Sequence, residues 1–184
     1  MKSTIIFILF ILGWSSAANA QLYATKNGSI KIFSDAPQEK IEAINLQVNA
    51  ALNADKGDLV FRVLMKSFEF KNALTQEHFN ETYVESDKFP SSTFVGKVTN
   101  IKEINFSKDG NYDALIEGKL TLHGVTKVIK EKGTFEVIQG KIVGKSNFRV
   151  LLSDYNINNP NSVEDNIPKT LEINVEIALE KIYN

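Results

Sequence analysis

The chain has no cysteine and only two histidines, His78 and His123. Without thiols there is no disulfide, no thiolate metal site and no cysteine nucleophile, so packing alone must hold the fold. Two histidines, with no HxH or HExxH spacing, fall short of the three or four converging ligands that a zinc centre needs. A Gly-x-Ser-x-Gly elbow, a dinucleotide glycine fingerprint and a phosphate loop are also missing, as is any repeat long enough for a solenoid or propeller. Lys and Arg number 21 against 22 Asp and Glu, a formal net charge of −1, and no basic block is interleaved with aromatics. That balance gives no reason to expect a nucleic-acid or anionic-membrane partner. No apolar run approaches the roughly 20 residues that carry a helix across a bilayer.

What is present begins with an export signal. One charge at Lys2, the apolar run Ile5–Leu12 and the small-residue site Ala18-Asn19-Ala20 form the three regions of a secretory signal peptide, with cleavage expected after Ala20. No cysteine follows that site, so a lipid anchor there is not expected. Residues 21–184 are then one domain, long enough to bury a sizeable core.

The mature sequence alternates. Asn27-Gly28 is a hairpin-turn signal beside the alternating run Ser29–Phe33, which predicts an opening hairpin. Ile41–Leu46 and Val48–Ala54 read as extended chain, and Asp55-Lys56-Gly57-Asp58 supplies a turn. Leu59, Phe61, Val63 and Met65 then share one face of a strand. Between Asn72 and Ser86 the period changes to that of a short helix carrying Ala73, Leu74, Phe79 and Tyr83, started loosely at Thr75 and stopped by Lys88-Phe89-Pro90. Strands are predicted over Phe94–Ile104, Tyr112–Leu122, Val125–Lys130, Thr134–Ile138 and Lys141–Leu152, with turns at Asp109-Gly110-Asn111, Gly124, Lys132-Gly133 and Gln139-Gly140. A polar loop spans Ser153–Lys169. The last strand points Leu171, Ile173, Val175, Ile177 and Leu179 one way, with Glu172, Asn174, Glu176 and Glu180 the other.

About eight long antiparallel strands with one helix cannot cover their apolar faces with a helical layer. Closing the sheet into an eight-stranded barrel covers them and removes the edges. The fold class expected is therefore all-β, an antiparallel barrel with one short helix. Alternation alone leaves open whether its interior is packed or hollow.

Three separated stretches carry a resemblance. Glu77-His78-Phe79-Asn80-Glu81 with Ser86–Phe94, then Gly118–Lys127, then Phe148 with Asp154-Tyr155-Asn156-Ile157, resemble the YceI-like family of exported bacterial proteins, from about Gly28 to the C-terminus. Ile41–Ala54 departs from the valine-rich, glycine-containing strands of that family. The resemblance implies a lipocalin-like barrel with a long apolar cavity for polyisoprenoid chains or similar amphiphiles, usually in the periplasm, and carries over no catalytic residues.

On that basis Phe61, Val63, Ile116, Leu120, Leu122, Phe148, Val150, Leu171, Ile173, Val175 and Ile177 are expected to line the cavity, with Asp154 and Tyr155 at its mouth. The partner expected is a long-chain isoprenoid or fatty amphiphile, with no cofactor, no metal and no covalent chemistry; a homodimer is left open. His123 reads as a turn residue bonded to a backbone group, and Glu77 with Glu81 as solvated helix acids. Two other readings stand beside the carrier: a small enzyme using His123 or Asp154 as acid or base, and a secreted structural module with a filled barrel.

Overall fold

The computed structural model describes residues 21–35, 40–157 and 169–182. The signal peptide expected over residues 1–20 and most of the polar loop expected over Ser153–Lys169 lie outside the described residues.

Eight long strands close on themselves. They are β1 (Leu22–Asp35), β2 (Lys40–Asn53), β3 (Asp58–Leu64), β5 (Ser91–Val98), β6 (Gly110–Leu122), β7 (Val125–Ile138), β8 (Lys141–Leu151) and β9 (Thr170–Lys181), with a two-residue strand β4 (Glu69–Phe70) hydrogen-bonded to β2. All pairings are antiparallel in the order β1-β9-β8-β7-β6-β5-β3-β2, and β1 pairs with β2 to complete the ring. Alternation drives this closure, because each strand turns one set of side chains inward. On β3, Leu59, Val63 and Met65 just beyond the strand are buried while Val60 and Leu64 are exposed.

Two glycine signals do not make the turns expected of them. Asn27-Gly28 lies inside β1, which runs straight through it with register shifts against β2 on either side of Gly28. The segment is a bulge within one strand, not a hairpin. A Cβ on Gly28 would lie 2.8 Å from Ile177 Cγ2 and 3.2 Å from the Val48 carbonyl oxygen, so the close approach of neighbouring strands explains this glycine. Lys132-Gly133 likewise falls within β7, which is unbroken from Val125 to Ile138. The strand expected over Phe94–Ile104 runs instead from Ser91 to Val98 and gives way to a 3-10 turn at Ile101–Glu103.

The two ends of the barrel differ. At one end the segment after β5 folds Ile101, Ile104 and Phe106 into the interior, and Phe106 packs tilted against Tyr23 (6.1 Å) and edge-on against Phe135 (5.4 Å). That end is plugged. The other end is covered by the insertion between β3 and β5. It contains the helix α1 (Ala73–His78) and a following π-helical turn, Phe79–Tyr83. Asn72 starts the helix, not Thr75, since its Oδ1 accepts from the Leu74 and Thr75 amides at 2.8 and 3.2 Å. Phe79 and Tyr83 face inward, whereas Leu74 is 59% exposed. Phe79 packs on Phe68 and Phe70 at 5.7 and 4.9 Å.

Candidate functional site

Between the aromatic plug and the helical cover the barrel is hollow. The cavity has a volume of about 140 Å3. A smaller space of about 30 Å3 continues toward the plug and shares Leu59, Phe61, Ile116, Ser146 and Val175 with it. Apart from Ser92, Thr93, Ser146, Glu131 and the Tyr83 phenol, the larger cavity is walled by aliphatic, phenyl and thioether groups.

Phe61, Val63, Ile116, Leu120, Leu122, Phe148, Leu171, Ile173 and Val175 lie on this wall. Ile177 lines the smaller space instead. Val150 is buried on β8 without lining either space, whereas Leu152, two residues further on, lines the larger one. Neither residue expected at the mouth lines the cavity. Asp154 is exposed, 4.0 Å from Lys127 Nζ, and Tyr155 is 2% exposed, folded under the turn that follows β8. Burial, and then the Asp154 and Glu131 carboxylates, push the Tyr155 phenol up.

Other parts of the wall come from segments whose role sequence did not expose. Ile30 and Ile32 of β1, Ile41 of β2, and Met65, Phe68 and Phe79 of the insertion all face the space. The i, i+4 pair Phe79 and Tyr83 was a visible sign that one helix face turns inward. Nothing in the run Lys130-Glu131-Lys132 marks Glu131 as a wall residue, since only the phase of β7 puts it there.

Two glycines shape the interior. Gly96 and Gly118 are cross-strand partners on β5 and β6, and the Phe94 ring lies over them. A Cβ on Gly118 would sit 2.6 Å from Phe94 Cζ and 2.7 Å from the Val95 carbonyl oxygen. The ring occupies the room that two side chains would otherwise take.

The barrel wall is incomplete in one place. β7 and β8 pair only from Gly133–Ile138 to Ser146–Lys141, while Val125–Lys132 pairs with β6 and Asn147–Leu151 with β9. At the last rung Ser146 Oγ donates to the Lys132 carbonyl at 2.7 Å. Beyond it the strands separate. Ile129 and Glu131 of β7 and Ser146 and Phe148 of β8 all line the cavity beside this split.

His123 closes the covered end. With φ of 50° at His123 and 73° at Gly124, the β6–β7 corner is a two-residue turn of the kind that suits twisted hairpins. The imidazole Nε2 lies 2.7 Å from Glu85 Oε2, and Nδ1 lies 3.0 Å from the Tyr155 carbonyl oxygen. Both partners accept hydrogen bonds, so an imidazolium satisfies both and a neutral ring only one. The bond from His123 is the largest influence holding the Glu85 carboxyl below its ordinary value, against an opposing effect of burial. Phe89 packs edge-on against the ring at 4.6 Å. His123 thus ties the corner to the insertion and to the turn after β8. Glu77, Glu81 and His78 are exposed on the cover, and no group of three or more His, Asp or Glu side chains converges among the described residues.

A closed eight-stranded antiparallel barrel, plugged at one end and hollow with an apolar wall toward the other, is a lipocalin-like barrel. The chain belongs to the YceI-like domain family, whose sequence profile matches residues 16–179. Solved structures share the fold at low identity. A polyisoprenoid binding domain from Saccharophagus degradans superposes with a TM-score of 0.75 at 11% identity, over 89% of this chain and 99% of that one. BcnA of Burkholderia cenocepacia gives 0.66 at 13% identity, over 83% and 96%. A Campylobacter jejuni YceI protein gives 0.52 at 16% identity, over 100% of both. No curated protein matches the sequence.

Proposed function

We propose that the protein is an exported carrier or buffer that holds the chain of an isoprenoid or fatty amphiphile inside the barrel, without covalent chemistry on it. The observation that carries this reading is the cavity itself, whose wall is almost wholly apolar although it lies in the middle of the fold. A void of this kind forgoes packing contacts that a filled core would make, and a bound chain restores them. Burial of each methylene is worth about 0.8 kcal/mol, so a long chain binds without specific polar contacts. The cavity also weighs against a barrel filled by its own side chains. His123, the candidate acid or base of an enzymatic reading, has both nitrogens engaged by Glu85 and Tyr155. The Saccharophagus domain, described as polyisoprenoid binding, gives the same reading from the fold.

Mass spectrometry of an organic extract of the purified protein, together with titration of added geranylgeraniol, tests this. Bound isoprenoid or fatty chain is expected, and Leu120→Trp, which projects an indole into the space, is expected to abolish geranylgeraniol binding while the barrel stays folded. An empty extract with no uptake of geranylgeraniol overturns the reading. Export to the periplasm rests on the signal-peptide pattern of residues 1–20; N-terminal sequencing of the exported protein is expected to begin at Gln21, and Met1 would contradict it.

A further inference from the structure

Among the described residues the cavity wall carries one carboxyl group, Glu131. It sits beside the last paired rung of β7 and β8, on the lip of the split. The hydroxyl on the facing lip is already committed, Ser146 Oγ donating to the Lys132 carbonyl at 2.7 Å. Three lysines of β7 and β8 are held elsewhere, Lys127 by Asp154 at 4.0 Å, Lys130 by Glu117 at 3.1 Å and Lys145 by Glu136 at 3.5 Å, and Lys132, next along the strand, points to the opposite face of β7. The Glu131 carboxyl itself has neither a hydrogen-bond nor an ion-pair partner among the described residues. Burial pushes it up, with no counter-charge to oppose the shift. A half-buried carboxyl on an apolar wall is a cost to the empty protein unless something donates to it.

We propose that Glu131 is the head-group site of the cavity, accepting a hydrogen bond from the hydroxyl or ammonium head of an amphiphile whose chain fills the barrel and whose head lies in the split between β7 and β8. This rests on the reading of the cavity as an amphiphile site. The geometry places the donor between Glu131 and the Ser146 lip, with Ile129 and Phe148 against the first carbons of the chain. An anionic head, a carboxylate or phosphate, would meet Glu131 as a like charge and is selected against. The apolar wall sets how much chain is held; Glu131 sets which end group is accepted.

Calorimetric titration of the whole protein with oleyl alcohol, oleylamine and oleic acid at pH 8 separates the chain from the head. Wild type is expected to bind the alcohol and the amine at least about tenfold more tightly than the acid, the size of one charge-assisted hydrogen bond. Glu131→Gln keeps the volume and is expected to bring all three to within about twofold of one another. In the unsubstituted protein, the Glu131 carboxyl carbon resonance is expected to move when oleyl alcohol is added, a readout that does not depend on a variant folding. The same ranking and spacing in wild type and Glu131→Gln, or a resonance that stays in place, overturns the proposal while leaving the cavity reading intact. Failure of all three probes to bind wild type overturns both.

Discussion

Asn45 is fully buried and polar, and it stands where a backbone ladder fails. β2 pairs with β3 only over Asn49–Leu52, after which the strands diverge to admit the insertion that covers the cavity. Asn45 bridges the gap, its Nδ2 donating to the Leu64 carbonyl at 2.9 Å and its Oδ1 accepting from the Gln47 amide at 2.8 Å. Asn45→Ala removes the partner of the Leu64 carbonyl and the Gln47 amide from a fully buried position, and a loss of about 1–3 kcal/mol is expected in urea unfolding. Gly118 is the second residue on which the interior turns. Gly118→Ala drives a methyl against Phe94 and against the Val95 carbonyl, which is backbone and cannot swing aside. A loss of about 1–3 kcal/mol is expected, with a disturbed near-ultraviolet signal from the displaced ring.

At the scale of elements, the faces of the strands were legible and their interruptions were not. The alternation of Leu171, Ile173 and Val175 with Glu172 and Asn174 places the first set on the cavity wall, as the pleat requires. Gly28 and Gly133 read as turns because local sequence cannot see what lies across the sheet. At Gly133 a Cβ would meet the Lys145 carbonyl oxygen at 2.7 Å, so the glycine serves a strand contact. Glu131 was illegible for a similar reason. It sits among lysines in a run that looks solvated, and only the continuity of β7 through Gly133 phases it inward. His123 was legible as a turn residue bonded to backbone, but Glu85, its other partner, is 38 residues away. That clamp makes a pH prediction. Because the Glu85 carboxyl is held below its ordinary value, its contribution is present above the unfolded-state pKa and is lost as pH falls through the lower folded value. Thermal melts of Glu85→Gln are expected to fall below wild type at neutral pH and to converge with it under acid; a gap that persists at low pH would assign the effect to shape instead of charge.

For the whole molecule, the plug and the cavity divide the work of stability and binding between the two ends. Phe106 packs against Tyr23 and Phe135 at the plugged end, and Phe106→Ala is expected to cost about 3–5 kcal/mol in unfolding experiments by opening a hole in the packed half. A ligand in the other half binds only the folded barrel, so geranylgeraniol at about 100 times its dissociation constant is expected to stabilise the protein by about 2.7 kcal/mol, read as a rise in Tm. Apo protein that melts at the same temperature with and without it would show the cavity to be unused.

The closure of the ring by β1 against β9 brings the start of β1 and the end of β9 to the plugged end, where the Ile182 amide donates to the Leu22 carbonyl at 2.8 Å and Tyr23 pairs with Lys181. The helical cover and the hollow half face the opposite way. A molecule fastened to a surface through the start of β1 or the end of β9 therefore stands with its plug toward the support and its hollow half toward the surrounding fluid.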